Sequence, residues 1–339
     1  MKSMVFILLI FPLIINAQVS PFNKKEIVLA DSAEIVFLIG GHFHGASTNT
    51  SGFPAGTLLG NLEMINDSKA DFMVCLGDLF LSPEKDLQNY PRVFFDKLNM
   101  PLFNAVGNHD VENFDYNNHF GSTYLSFEIQ NSAFVILDTE LDNGDIEGEQ
   151  LQLLKDVLDK NYNQVFVFAH RPIWSEEDET LKDVFKQNTS SGTNFMEEVL
   201  PLMKSSSADV FMFGGSLGGD APFSFFYHKK AENLIYIATA IRNLPRDGIL
   251  KVKIKESNVE FTPISLTGQS LNDIESYNLA LWNKTDGSKS FNWRLVPLYI
   301  KNMVFHRYFW YGIFWTVFGG VSIWFLKKIW LRRKQKGNT

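Results

Sequence analysis

Short apolar runs recur along this chain, and most end in a glycine or a cluster of polar turn residues. Residues 34–40 (core Ile35-Val36-Phe37-Leu38-Ile39) read as a buried strand, as do 72–76, 102–106, 165–169 and 210–213. Each is too short for a helix and rich in β-branched and aromatic residues. Residues 123–128 and 133–137 form a further β-rich stretch, and strand-like pieces return at 234–239, 249–254 and 258–265. Between them lie segments expected to be helical at 57–66, 90–98, 150–160 and 196–204. In 150–160 the leucines fall at helical spacing. Strand alternating with helix is the β-α-β signature. Residues 41–54 are Gly-, Ser- and Thr-rich and read as a loop, 175–195 as a polar surface loop or lid, and 266–307 as a polar linker and juxtamembrane segment.

The two ends break this pattern. Residues 4–16 are almost wholly apolar after one lysine and are followed by Ala17-Gln18, so 1–17 read as a signal peptide, with an uncleaved anchor as the competing reading. Residues 308–326 carry no charge and begin with four aromatics, a stretch of about 19 residues, long enough to cross a bilayer. Lys327, Lys328, Arg332, Arg333, Lys334 and Lys336 follow at once, which by the positive-inside rule places the tail 327–339 in the cytoplasm. The expected arrangement is a body outside the cytoplasm, on the periplasmic or extracellular face, held by one C-terminal transmembrane helix.

Composition narrows the function. At 339 residues and 45% hydrophobic, the chain can bury one large core. A net charge of −7 leaves no basic field for nucleic acid, and none is expected as a partner. The 31 phenylalanines imply aromatic packing in buried strands. A single cysteine, Cys75, excludes an intrachain disulfide framework and a cysteine-based zinc site, and its place within a strand marks it as an inert core residue.

Chemistry gathers where the strands end. Gly77-Asp78 follows one apolar run and Gly107-Asn108-His109-Asp110 the next; His42 and His44 follow the first strand, and His170-Arg171-Pro172 a later one. Glycine permits the sharp turn at a strand end. The residues after it then project over the edge of the sheet, where open α/β folds bind ligands. Asp and Asn offer oxygen ligands and His a nitrogen or a proton, so the set points to metal-assisted hydrolysis. For His42 two readings stand, ligand or polar filler. Glu140, Asp142 and Asp145 read as a solvated acidic loop, and His119 and His228 as surface or supporting residues.

The order of these motifs resembles the calcineurin-like metallophosphoesterase family, which includes the purple acid phosphatases, over about residues 34–263. The family's Asp-x-His motif stands here as His42-Phe43-His44, its Gly-Asp as Gly77-Asp78, its Gly-Asn-His-Asp/Glu at 107–110 and its single-histidine motif as His170-Arg171-Pro172. The resemblance implies an α/β fold of two packed mixed β-sheets flanked by helices, a four-layer sandwich, within 30–265. It implies one or two metal ions, of iron, zinc or manganese. Asp78 would bridge them, His44 would bind the first, and Asn108 and His170 the second, with His42 a further ligand position. His109 would touch the phosphate and protonate the leaving group, oriented by Asp110. The implied reaction is hydrolysis of a phosphomonoester or phosphodiester by metal-bound hydroxide, on a substrate that could be lipid-linked given the adjacent membrane. Two departures bear on this: the opening carboxylate is His42, and the closing Gly-His-x-His reads Gly215-Ser216-Leu217-Gly218. Asp220 or His228 lies close enough in sequence to stand in for the missing histidines. The alternative is a catalytically inactive relative kept as a binding or scaffold module at the membrane.

Overall fold

The computed structural model describes residues 18–29, 34–175, 180–181, 184–185, 193–217, 221–285, 296, 300, 303–304 and 307–336. The expected signal segment, Asp220 and much of the 175–195 stretch lie outside them. The chain divides into two compact units, Met1–Ser290 and Phe291–Thr339.

In the first unit eleven strands are described: β1 (Glu34–Gly40), β2 (Phe72–Cys75), β3 (Leu102–Asn104), β4 (Leu125–Ile129), β5 (Ser132–Ile136), β6 (Gln164–Ala169), β7 (Asp209–Gly214), β8 (Phe225–Lys229), β9 (Leu234–Thr239), β10 (Gly248–Lys255) and β11 (Asn258–Ser265). They build two sheets, ordered β11-β10-β1-β2-β3 and β4-β5-β6-β7-β9-β8. In the first, β1, β2 and β3 run parallel and β10 and β11 antiparallel. In the second, β5, β6, β7 and β9 are parallel, and β4 and β8 close the edges antiparallel. This is the expected architecture of two packed mixed sheets with helices outside.

The phenylalanines explain how the sheets pack. Phe127, Phe134, Phe166 and Phe211 face one another in register across β4, β5, β6 and β7. Their ring centroids stack at 5.1, 5.2 and 5.2 Å. From the other sheet Phe37 stacks on Phe72 at 4.9 Å and meets Phe134 and Phe166 edge-on. The layer between the sheets is thus a ladder of flat rings, an arrangement that adds to burial itself. Side-chain alternation sends the next residues outward. Leu38, Met73 and Cys75 pack beneath Leu58, Ile65, Tyr90 and Phe94, while Val135, Val165 and Val167 pack beneath Leu151, Leu154 and Val157 of the helix Gly148–Leu158.

Three expectations about local structure change. The single helix expected at 57–66 is two, Gly56–Leu59 and Leu62–Asp67. Gly60 closes the first, and Asn61 sends its amide to Thr57 O and Leu266 O at 2.7 and 2.9 Å, competing with helix continuation. The strand β8 has no strong alternation in sequence, since its aromatic pair runs into Tyr-His-Lys, yet it pairs with the edge of β9. Residues 266–285, expected to open a linker, are packed. Ile274 and Tyr277 are buried, and Trp282, on the helix Leu279–Lys284, donates its indole N–H to Phe225 O at 3.0 Å.

In the second unit a helix runs Arg307–Lys336. Its first 22 residues, Arg307–Lys328, have a mean hydropathy of 1.4 and none of the window is buried, which by length and composition qualifies it to cross a membrane.

Candidate metal centre

The parallel strands β1, β2, β3 and β6 deliver their carboxyl ends to one place. Two turns there require special backbone. Asp78 and His42 adopt φ of 54° and 55°, left-handed values that cost non-glycine residues about 1–3 kcal/mol each. The turns brace each other: His42 N–H donates to Gly77 O at 2.9 Å and His44 N–H to Asp78 O at 3.3 Å. Close approach demands glycine at two neighbours. A Cβ on Gly107 would lie 2.4 Å from Asp78 Oδ1, and one on Gly215 would lie 1.8 Å from Leu76 O.

Asp78 is the hub and is buried. Its Oδ2 lies 3.0 Å from His42 Nδ1 and 3.5 Å from His44 Nε2, and its Oδ1 lies 3.6 Å from His170 Nε2. The His109 backbone N–H donates to Oδ1 at 3.3 Å. Burial is the largest influence on Asp78 and opposes ionisation. His170 and His42 together outweigh it and hold the carboxyl well below its usual range. His42 moves the other way, its pKa driven well down by burial and then by the Arg242 guanidinium, against the pull of Asp78.

Four predicted residues, His42, His44, Asp78 and His170, therefore meet here, and the ligating atoms of His42, His44 and Asp78 lie within 4.8 Å of one another. His109 stands beside them, its ring centroid 5.3 Å from that of His44. Asn108 and His109 open the short helix Asn108–Val111 and are half-buried, at the accessible side of the cluster. Asp110 is placed differently from its expected orienting role. Its Oδ1 accepts from Phe80 N at 2.9 Å, and its Oδ2 from Gly107 N at 2.9 Å and Asn104 Nδ2 at 3.0 Å. Among the described residues these are its hydrogen-bond partners, and the His109 ring is not among them. Asp110 holds the turn that carries Asn108 and His109.

The donor set fits a cation. His170 Nδ1 donates to Leu76 O at 2.8 Å, because a carbonyl can only accept. In the neutral ring Nε2 then carries a lone pair, and it faces a carboxylate oxygen. Two acceptors turned toward each other in a buried site repel unless a proton or a metal ion lies between them. His44 gives the same sign: both of its ring nitrogens are buried without a hydrogen-bond partner. A backbone carbonyl orienting an imidazole from behind is the usual support of a metal-binding histidine.

The far side of the centre is built otherwise. Gly215 and Ser216 donate their N–H groups to His170 O at 2.8 Å each, so the closing loop is tied to the site although both expected histidines are absent from it. His228 does not compensate. It pairs with Tyr236 in mid-strand, three register positions from Thr239, and its ring stacks beside Tyr236 and Phe226. In the gap stands Arg242, which the motifs did not reveal. Its Nη2 donates to His42 Nε2 at 3.2 Å and to Leu217 O. It follows the apolar run of β9, as the other site residues follow theirs, but no spacing marked it out. The bond from Ile241 N to Gly41 O, at 3.0 Å, brings that strand end beside His42.

Around the rim, Glu140 is no part of a solvated acidic face. It grips Arg171 in a bidentate pair, at 2.7 Å to Nε and 2.6 Å to Nη2, next to His170. Cys75 is buried, and burial drives its thiol pKa well up, in keeping with an inert core residue.

The sequence model of the calcineurin-like phosphoesterase family matches residues 53–217. That matched segment is a calcineurin-like phosphoesterase domain. The match takes in Asp78, the 107–110 motif and His170, begins after His42 and His44, and ends within the closing loop. Among solved structures, a dimetal phosphatase from Danio rerio is similar at TM-score 0.50 and 15% identity, covering 68% of this chain and 96% of that one. At such identity the likeness is one of fold. No curated protein matches. The phosphoesterase domain places the chain in the class of metal-dependent hydrolases.

Proposed function

We propose that this chain hydrolyses a phosphomonoester or phosphodiester, with a metal held among Asp78, His44, Asn108 and His170. The observation that carries the reading is the convergence of buried ligating atoms on Asp78: His170 Nε2 lies 3.6 Å from Oδ1, and His44 Nε2, which has no hydrogen-bond partner, lies 3.5 Å from Oδ2. When bound, the metal would supply positive charge against the phosphoryl oxygens and lower the pKa of water. The chain's own residues do the rest. Asp78 contributes a carboxylate that is ionised at neutral pH. His109 stands at the half-buried edge with its ring toward the cluster, the position from which an imidazole can give a proton to the departing oxygen. Asp110 and Gly107 set that position by holding the turn.

The export signal, the apolar helix and the basic tail support an enzyme anchored by its C-terminus with the phosphoesterase domain outside the cytoplasm, where a lipid-linked phosphoester would be within reach. Asp78→Asn is expected to remove metal and nearly all phosphoesterase activity from the purified protein. Unchanged turnover of a phosphoester panel by that variant would refute the assignment. A second reading, a membrane-bound binding module without catalysis, is favoured by one observation, the Arg242 side chain lodged against His42. It predicts that wild type takes up no metal and turns over no phosphoester in the panel.

A further inference from the structure

The two sides of the Asp78 carboxylate are not equivalent. Toward His170 and His44 the buried nitrogens lack partners or face an acceptor. Toward His42 one ring nitrogen, Nε2, is already engaged by Arg242, while Nδ1 is buried without a hydrogen bond. An arginine has only donors, so a bond from Arg242 Nη2 to His42 Nε2 requires that Nε2 be unprotonated. In a neutral ring the proton is then on Nδ1, 3.0 Å from Asp78 Oδ2. A metal could use Nδ1 only if that proton moved to Nε2, and Nε2–H would then oppose the guanidinium donor. Arg242 and a metal on His42 are mutually exclusive.

The guanidinium is also placed as a charge. Its backbone N–H is fixed by Asp247 Oδ1 at 3.0 Å, and its side chain is pinned by Leu217 O, in the very loop that lacks the two histidines. Among the described residues no carboxylate lies in ion-pair reach of it, and its Nε is buried without a hydrogen-bond partner. A fixed cation of this kind, aimed past His42 at Asp78, does electrostatically what a second metal would do for an anionic substrate.

We infer that Arg242 takes the place of a second cation, so that this centre binds one metal per chain and His42 serves Arg242 as acceptor rather than the metal as ligand. This rests on the metal-dependent reading above and is separable from it. The test is the manganese content of the full-length, detergent-purified chain after loading and desalting, with the electron paramagnetic resonance spectrum of the bound ion. Wild type is expected to hold one manganese with the six-line spectrum of an isolated ion. His42→Gly, which suits the left-handed backbone there, should keep that one ion. Arg242→Lys should also hold one. Arg242→Glu replaces the cation by a shorter side chain that carries a carboxylate, and should raise the content from one to two, with an exchange-coupled spectrum. Two ions in wild type, or loss of the single ion in His42→Gly, would overturn the inference. So would one ion in an Arg242→Glu protein with the circular dichroism of wild type. No ion in wild type would instead defeat the metal-dependent reading itself, and this inference with it.

Discussion

At the scale of single residues, the site depends on atoms that have no room to move. Gly107 is the clearest case, since a methyl group there would stand 2.4 Å from Asp78 Oδ1 and 2.9 Å from His170 Cε1. Gly107→Ala should push the carboxylate off its histidines and lower phosphoesterase turnover roughly a hundredfold, the scale of an ångström's misplacement. Steady-state kinetics beside a thermal melt would check this, and wild-type turnover would contradict it. Asp247 offers a test that needs no substrate. It accepts from Arg242 N and from Thr57 Oγ1 at 2.8 Å, but burial outweighs these bonds and raises its pKa from 3.8 to about 6. The folded state therefore holds this proton more tightly than the unfolded one. The contribution to stability is whole below about pH 3.8 and fades as pH rises to about 6, a change of ~3 kcal/mol. Denaturant unfolding of wild type and Asp247→Asn should show wild type losing ground to the variant across that window and running parallel above it. Parallel curves throughout would refute the assignment.

At the scale of elements, the sheets are held by ring stacking that alternation alone does not disclose. Ile35, Phe37 and Ile39 face the layer between the sheets, and Leu38 the outer helices. Phe37 touches rings of both sheets, so Phe37→Ala should cost about 3–5 kcal/mol. A loss under 1 kcal/mol in equilibrium unfolding would mean that the layers are not tied together there. Most strands were legible because a buried run of four to seven apolar residues has few alternatives. The broken helix at 56–67 and the edge strand β8 were not, because their limits are set by partners distant in sequence, Leu266 for Asn61 and β9 for Phe225–Lys229. The same holds for residues 266–285. Their polarity is that of a linker, yet Trp282 finds a carbonyl and a pocket of rings on β8.

At the scale of the molecule, the phosphoesterase domain and the C-terminal helix are separate compact units. A chain ending at residue 290 should fractionate without detergent, keep the metal content of the full-length protein and retain its melting temperature. Loss of folding in that truncation would show that the domain's stability depends on the C-terminal helix.

Sequence by itself determined the kind of site this is. Glycine at two strand ends, followed by Asp78 and by Asn108 with His109, and His170 after a third strand, marked ligating groups at strand carboxyl ends, which parallel strands deliver to the same side. It determined most of the strands, the apolar C-terminal helix and the absence of the closing histidines. Only the tertiary structure decided what fills their place. Asp110 turned from His109 to the backbone of its own turn, and Glu140 from solvent to Arg171. Arg242, 200 residues from His42, entered the site because the end of β9 is hydrogen-bonded beside β1. The physical reason is common to all three. Which donor meets which acceptor depends on distances between separate strand ends, and those exist only once two sheets have packed through their rings.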